Sequence, residues 1–467
     1  MTGEREPLWP SAALGGGLCT DLYELRMAAS YLRRGMAGPA TFSLFVRKLP
    51  RDRGFLVAAG LEDCLASLEG FHFSESEIAY LREVGLDAEA LEALAGLRFT
   101  GDVWAVPEGR VVFAGEPLLE VTAPIAEAQL VETVLLNHVT FQTTLASKAA
   151  RCRLAAGPAD LVDFSFRRTQ GIEAAMTVAR ACAVVGFAAT SNVEAARRFG
   201  LRPSGTMAHS FVEAFEASAF RGFAEDFPDH PVFLVDTYDT LEGVRTAIRV
   251  ARKLGIADFG VRLDSGDLGA LAFAARSVLD EAGFPGAAIV ASGGLDEYAI
   301  EALGAQRAPI DVYGVGTKMG VSADAPYLDT AYKLVAYGDR PVMKLSPGKV
   351  NPPGPKQVFR LTGPEGAGEP AGDLVGARDE VVPPGHEPLL VPVMAGGRRP
   401  RQETGDLAAV RRRFEADLSQ LPSESRRIRD PVAVQVSLTG RLTHLTETLA
   451  AGIRRQLGLD PSLAGDT

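Results

Sequence analysis

Residues able to bind anions, hold sugar hydroxyls or carry a proton recur at intervals between Arg167 and Lys318. In chain order they are Arg167 and Arg168 in "DFSFRR", Thr190-Ser191-Asn192 in "ATSN", Thr206 and His209 in "GTMAHS", and Asp236 to Thr240 in "DTYDT". Arg262, Asp264 and Asp267 follow in "RLDSGD", then Gly293 and Gly294 in "SGG", and Gly314, Gly316, Thr317 and Lys318 in "GVGTK". Guanidinium forks match phosphate or carboxylate oxygens. Asp264 and Asp267 can coordinate Mg²⁺ or accept from ribose hydroxyls. The glycines allow backbone N–H groups to approach an anion closely. The set points to an anionic sugar-phosphate substrate. His209 alone is open: a buried structural histidine, a base, a metal ligand or a nucleophile. A lone histidine is more often a hydrogen-bonded core residue, and an isolated Gly-Gly is more often just a turn.

Each polar group closes a short apolar run: "LVDFSF", "VVGFAAT", "PSGTM", "PVFLVDT", "FGVRLD", "AAIVAS" and "IDVYGVG". Most of the runs are separated by helical segments. One is "TLEGVRTAIRVARKLG", apolar at Leu241, Val244, Ile248, Ala251 and Leu254 and stopped by Gly255. Strands alternating with helices build a parallel sheet. Seven of them suggest an irregular α/β barrel, although the pattern leaves an open doubly wound sheet possible. In a barrel the C-terminal strand ends share one face, where active sites of such barrels lie.

The flanking chain reads differently. Residues 1–19 form a Gly/Pro-rich lead-in expected to be flexible. Residues 20–157 form an N-terminal α/β domain of sandwich type. It contains a helix from about Thr20, a strand in "ATFSLFVRKLP", and a helix in "RGFLVAAGLEDCLASLEGF" entered through Gly54. Two or three strands across "VWAVPEGRVVFAGEPLLEVTAP" and a long helix to about Ala156 complete it. The barrel spans 158–319. Strands over about 320–375 return to the N-terminal domain, and 376–467 form a C-terminal appendage with two helices.

Composition narrows the function classes. With 48 Lys+Arg against 59 Asp+Glu, the net charge of −11 disfavours a general nucleic-acid surface while permitting a local basic pocket. The four cysteines, Cys19, Cys64, Cys152 and Cys182, have no CxxC spacing, which disfavours a disulfide framework or a cysteine-rich zinc site and fits a reducing cytoplasm. No His-pair metal spacing and no Walker A motif occur. The start lacks a basic segment followed by an apolar stretch, so no signal peptide is expected, and no apolar run reaches the roughly 18 residues of a membrane span.

The ordered motifs from "TDLYELRMAASY" through "FVRKLPRDRGFLVAAGLE", "DFSFRRTQG", "GTMAHSF", "VDTYDT", "GVRLDSGDL", "ASGGLDE" and "DVYGVGTKM" to "YKLVAY" resemble the nicotinate phosphoribosyltransferase family over roughly residues 20–360. The resemblance implies a type II phosphoribosyltransferase fold and a homodimer with shared active sites. The implied reaction takes nicotinate, phosphoribosyl pyrophosphate and ATP to nicotinate mononucleotide, pyrophosphate, ADP and phosphate, with Mg²⁺. It also implies that Tyr23, from the neighbouring subunit, and Phe164 sandwich the pyridine ring. Arg167, with Arg168 beside it, would meet phosphate or pyrophosphate, and Thr206 and Arg262 the nicotinate carboxylate. Asp264 would hold ribose or Mg²⁺, and Gly293, Gly294, Gly316 and Thr317 the 5′-phosphate. His209 would become a phosphohistidine, oriented by Glu213, Asp236 or Asp239. Nicotinamide-using relatives carry a carboxylate where this chain has Thr190-Ser191-Asn192, which favours the acid over the amide as substrate. No cysteine follows Cys182, so the C-terminal metal site of some members is not available, and no structural metal is expected. The rival readings are a nicotinamide- or quinolinate-using phosphoribosyltransferase, a Schiff-base aldolase built on Lys318, and a non-catalytic pyridine-nucleotide sensor.

Overall fold

The six strands of the central parallel sheet are short, between two and four residues each, and run Asp160–Asp163, Ala189–Thr190, Val232–Leu234, Gly260–Leu263, Ala288–Ala291 and Val312–Val315. The computed structural model describes residues 16–346, 351–362, 372–400 and 406–458. Of the expected lead-in, residues 1–15 lie outside the described residues, as do 459–467 of the appendage.

The last of these strands pairs with the first, Val312 to Val315 opposite Asp160 to Asp163. The sheet therefore follows the chain's own order around a ring, as an irregular parallel barrel does. The third expected strand is the exception. "PSGTM" contributes only a single parallel bridge, Pro203 to Thr190. A proline has no N–H for the ladder, and the following Ser-Gly adds little side-chain packing. The ring stays open between this segment and Val232–Leu234, and the helices His209–Phe215 and Ala219–Asp226 lie along the chain between those two edges.

The barrel core gathers Leu161, Phe233, Val261, Leu263, Ile289, Ala291 and Val315, all fully buried, beneath amphipathic helices such as Thr240–Leu254. Along that helix Val244, Ala247, Ile248 and Ala251 turn inward, and Gly255 closes it at φ +69°. The helical spacing seen in the sequence is thus realised as burial.

The N-terminal domain is built on an antiparallel sheet. Its central strand, Pro39–Val46, lies between Pro117–Pro124 and the returning Thr330–Tyr337. Tyr332 shows why the return strand docks: its ring stacks on Phe42 at 4.8 Å, and its hydroxyl donates to the Ala128 carbonyl at 2.8 Å. Three details differ from the sequence expectation. "RGFLVAAGLED" first makes the short strand Leu56–Val57, and the helix Leu61–Gly70 begins after Gly60, not Gly54. Gly60 sits at φ +97° with the His138 carbonyl 2.6 Å from where a Cβ would stand, so only glycine fits. Within 320–375, Lys356–Leu361 and Asp373–Ala377 belong to a separate four-stranded sheet. Within 376–467, Val391–Met394 joins the N-terminal sheet beside Asp102–Ala105. The two expected C-terminal helices are Leu407–Gln420 and Gly440–Gln456.

Buried ion pairs tie barrel and N-terminal domain together. Lys148 and Arg151, on the long helix Glu132–Ala156, both meet Glu297, which is wholly buried, and Lys148 also meets Asp324 at 2.6 Å. Removing one partner would strand a charge away from water. These pairs fix the start of the helix Glu297–Ala305, immediately after the sixth polar strand end.

The separate sheet docks on the N-terminal domain through acidic and basic groups. Glu116 and Arg110 come from the N-terminal domain, Arg360, Asp373 and Glu387 from the sheet, and Asp417 from the C-terminal helix. Arg360 binds Asp373 and Asp417, and Arg110 binds Asp417 and Glu387. Glu116 is fully buried, and its Oε1 has no hydrogen-bond donor. Burial, followed by the Asp373 carboxylate, raises its pKa well above 4.5, against the opposing pull of Arg360 and the Phe113 N–H. A carboxyl whose folded pKa is raised contributes fully below its unfolded pKa and loses that contribution as pH climbs through the folded value. Wild type is therefore expected to gain most over Glu116→Gln near pH 4.5, with the advantage shrinking as the pH climbs through the raised pKa. Thermal melts of the two proteins across that range check this, and a pH-independent difference contradicts it.

Candidate active site

The site is built where the first, fifth, sixth and seventh barrel segments end, with the Thr206–His209 segment and the Asp236–Thr237 turn beside them. Asp163 ends the first strand as a buried carboxylate. Its Oδ1 accepts from the Ser165 N–H at 2.9 Å and the Ser165 hydroxyl at 2.6 Å, and its Oδ2 from Thr190 at 2.8 Å. Burial raises its pKa, and these hydrogen bonds oppose that. This Asx-type turn bends the chain so that Phe164 lies over Gly314 and the short helix Phe166–Arg168 presents Arg167 and Arg168 to solvent. Any Cβ at Gly314 would sit 2.6 Å from the Phe164 ring. Asn192 is buried and caps its helix by accepting from the Ala195 N–H, so it and Thr190 are structural and leave no free carboxylate at this turn.

The strand Gly260–Leu263 carries Arg262, and Asp264 follows its end. Arg262 Nη1 donates to the Thr206 hydroxyl at 2.6 Å, and Nη2 stands 3.9 Å from Asp264 Oδ1. Arg262 Nε is buried without a hydrogen-bond partner. Burial depresses the guanidinium pKa, and Arg167 nearby adds to the effect, while Asp264 and Asp236 oppose it. Two arginines close enough to repel, one with an unfilled donor, make a place where an anion relieves both costs.

Asp264 is held from two directions. Its carboxylate accepts from Ser292 at 2.5 Å, and its N–H donates to Asp236 Oδ2 at 2.9 Å. Asp236 Oδ2 also accepts from Ser265, while Asp236 Oδ1 is buried with no partner. Among the described residues no three His, Cys, Asp or Glu side chains gather as a metal cluster. Asp236 and Asp264 nevertheless offer what Mg²⁺ ordinarily takes from a protein that also presents phosphates, one or two carboxylates, and the orphaned Asp236 oxygen fits that use.

Gly293 packs its backbone against this loop. At φ +89° its missing Cβ would stand 1.9 Å from the Asp264 carbonyl oxygen. Gly294, at φ +65°, opens to free space, and both are exposed. Gly316 lies against the Phe164 carbonyl, 3.2 Å from where its Cβ would be, and the exposed Thr317 begins a short helical turn whose Met319 and Gly320 are buried. Lys318 Nζ is paired with Asp296 Oδ2 at 2.9 Å. Burial alone would raise the Asp296 pKa, yet Lys318 and the Ala299 N–H bring it below the ordinary range. A paired ammonium is a poor Schiff-base nucleophile, which counts against the aldolase reading.

His209 begins the helix His209–Phe215, its side chain 41% exposed. Its Nδ1 meets the Thr237 hydroxyl at 3.1 Å, and its Nε2 is 4.0 Å from Asp264 Oδ2. Of the three acids expected to orient it, none makes the contact; a hydroxyl and Asp264 surround the ring instead. Tyr23 stands apart from these groups. It is 48% exposed on the helix Leu22–Arg33, where burial, then the Glu132 and Glu24 carboxylates, raise its phenol. Among the described residues its partners belong to the N-terminal domain. The single chain thus joins Phe164, Thr206, His209, Arg262, Asp264 and Gly293, brings Arg167 within electrostatic range of Arg262, and leaves Tyr23 out.

Comparison with known proteins agrees with this layout. Three family models match in chain order: the nicotinate phosphoribosyltransferase N-terminal domain over residues 18–140, the nicotinate phosphoribosyltransferase family over 159–336, and the C-terminal domain over 378–446. The chain is 49% identical over 440 residues to nicotinate phosphoribosyltransferase pncB2 of Mycobacterium tuberculosis, covering 92% of this chain and 94% of that one. It is 47% identical over 378 residues to the Bacillus subtilis nicotinate phosphoribosyltransferase, covering 78% and 77%. The crystal structure of human nicotinic acid phosphoribosyltransferase superposes with a TM-score of 0.81 at 31% identity, over 92% of this chain and 99% of that one. Among the described residues no helix is long and apolar enough to cross a membrane.

Proposed function

Because the chain belongs to the nicotinate phosphoribosyltransferase family, we propose that it forms nicotinate mononucleotide and pyrophosphate from nicotinate and phosphoribosyl pyrophosphate in NAD salvage, and that ATP hydrolysis is coupled to this through a phosphohistidine at His209. The observation that carries the reading is the Arg262–Thr206 contact at 2.6 Å, with Asp264 beside it and Gly293 packed on the same loop. It sets a guanidinium fork and a hydroxyl for a ring carboxylate next to a carboxylate for ribose.

The pyridine nitrogen lone pair attacks ribose C1 as the C1–O bond breaks and its electrons leave with pyrophosphate. The transition state carries positive charge on the ribose. Asp264 faces that charge and accepts from ribose hydroxyls, and Arg167 meets the leaving pyrophosphate. Phe164 covers one face of the pyridine ring. Gly293, Gly294, Gly316 and Thr317 cradle the 5′-phosphate, with Arg168 at the rim. Asp236 and Asp264 would hold Mg²⁺, which when bound neutralises the pyrophosphate oxygens. Orientation of the two reactants supplies about 7–11 kcal/mol where the geometry is favourable. The second ring face belongs to Tyr23 of another copy, so the working unit is a homodimer with shared sites. The exposure of Tyr23 and of Leu22 on the same helix supports this.

Arg262→Ala removes the fork. It is expected to lower kcat/KM for nicotinate by roughly thirtyfold or more, the loss of about 2 kcal/mol that follows truncating a buried charge partner. Arg262→Lys should not restore it, because a point charge lacks the planar pair of donors. Steady-state assays with nicotinate and nicotinamide test this, and an equal loss for both substrates contradicts the carboxylate role.

A further inference from the structure

We infer that Lys148 is a positioning residue for the 5′-phosphate cradle: one buried ammonium ties together the two backbone segments that hold that phosphate. The role rests on the phosphoribosyl-transfer reading. The two segments, Gly293–Gly294 and Gly316–Thr317, follow the neighbouring parallel strands Ala288–Ala291 and Val312–Val315. Both are built on glycine, which sets few limits on its own backbone. N–H groups bind an anion well only where they are already aligned. Something beyond the local sequence must therefore hold the two segments in register with each other.

Each segment runs into a carboxylate, and the two carboxylates meet on Lys148. Glu297 opens the helix that follows Gly294, and Asp324 lies just past the turn Thr317–Gly320. Between that turn and Asp324 the chain bends at Ser322, which is buried with a φ of +45°. Lys148 Nζ pairs with Glu297 and stands 2.6 Å from Asp324 Oδ1. The lysine side chain is 1% exposed, so it braces the cradle from behind and does not line the pocket.

Each carboxylate has a second cation of its own. Arg151 Nε donates to Glu297 Oε1 at 2.9 Å, and Arg53 Nη2 donates to Asp324 Oδ2 at 2.9 Å. Among the described residues neither arginine pairs with both acids. Lys148→Met would thus leave Glu297 with Arg151 and Asp324 with Arg53. Each segment would keep an anchor, and the buried link between them would be lost. A second link, Lys318 to Asp296 at 2.9 Å, joins the same segments from outside. Its lysine is half exposed, and an exposed pair holds little. A buried ion pair is by itself weak evidence of a stabilising role. Here its two ends belong to the two arms of one site.

The test is calorimetric titration of the full-length protein with two probes in the presence of Mg²⁺. Ribose 5-phosphate carries the 5′-phosphate alone, and inorganic pyrophosphate carries only the leaving group. Wild type is compared with Lys148→Met, an unbranched side chain without the charge, and with Asp324→Asn, which leaves Lys148 on Glu297. Lys148→Met should bind ribose 5-phosphate about tenfold more weakly, the scale on which groups behind a ligand set act in metal sites. It should bind pyrophosphate as wild type does. Asp324→Asn should show part of the same selective loss, and it decides the matter if Lys148→Met does not fold. Unchanged affinity for ribose 5-phosphate in a folded variant, or equal losses for both probes, overturns the role of Lys148. Wild type that does not bind ribose 5-phosphate overturns the cradle and this role together. Wild type that binds it with the predicted dependence on Lys148, yet does not turn over nicotinate, overturns only the reaction assigned to the site.

Discussion

His209→Ala is expected to abolish phosphoenzyme formation and with it the acceleration of pyrophosphate release by ATP. The expectation follows from position. The ring stands at the start of a helix on the open side of the barrel, partly exposed, with one nitrogen held by Thr237 and the other facing Asp264. His138 is the structural contrast: its Nε2 meets the Ser67 hydroxyl at 3.2 Å, and burial pushes its pKa down. Neutral imidazole is a good nucleophile near neutral pH. Alanine leaves no atom within reach of the γ-phosphorus. Labelling with γ-phosphate and quenching in alkali, where phosphohistidine survives, reads the result. A variant labelled at wild-type stoichiometry would place the acceptor elsewhere.

Gly293→Ala should lower kcat/KM for phosphoribosyl pyrophosphate by about a hundredfold or more. The added Cβ would stand 1.9 Å from the Asp264 carbonyl oxygen, against backbone that cannot rotate away, and at a φ of +89° that side chains avoid. Either the Gly293 turn or the Asp264 loop must shift. Both belong to the proposed site, and a displacement of about 1 Å in a positioned group costs on the order of 10² in rate. Gly294→Ala is the contrast. Its Cβ meets open space, so its cost is confined to backbone strain at φ +65°. Comparing the two variants separates steric displacement from strain. Equal losses would mean that the Asp264 contact is unimportant.

The barrel was legible because each strand is a short apolar run ending in polar residues, and the helices between them keep a clear apolar stripe. Six of the seven runs form strands. "PSGTM" reads like the others by hydropathy, yet Pro203 denies it a ladder hydrogen bond, and that same irregularity leaves His209 at an opening in the ring. Arg262 and Thr206 were legible as polar strand ends, although their direct contact, across 56 residues, was not. Thr237 and Asp163 were not singled out. Each acts through a partner 28 or 27 residues away, and such a contact is fixed by barrel register and not by local pattern. Asp163 did leave a local trace, the Asp-Phe-Ser order of an Asx turn. The acids expected to orient His209, Glu213, Asp236 and Asp239, misled for the same reason. Asp236 turns toward the Asp264 backbone, and a residue from the next strand takes its place beside the ring.

The measurement that bears most directly on the whole account is pyrophosphate release by the wild-type enzyme with phosphoribosyl pyrophosphate and each of nicotinate, nicotinamide and quinolinate, with and without ATP. The account predicts turnover with nicotinate, accelerated by ATP with stoichiometric ADP, and little with the other two. Preference for nicotinamide or quinolinate, or binding of nicotinate mononucleotide without turnover of any substrate, would contradict it.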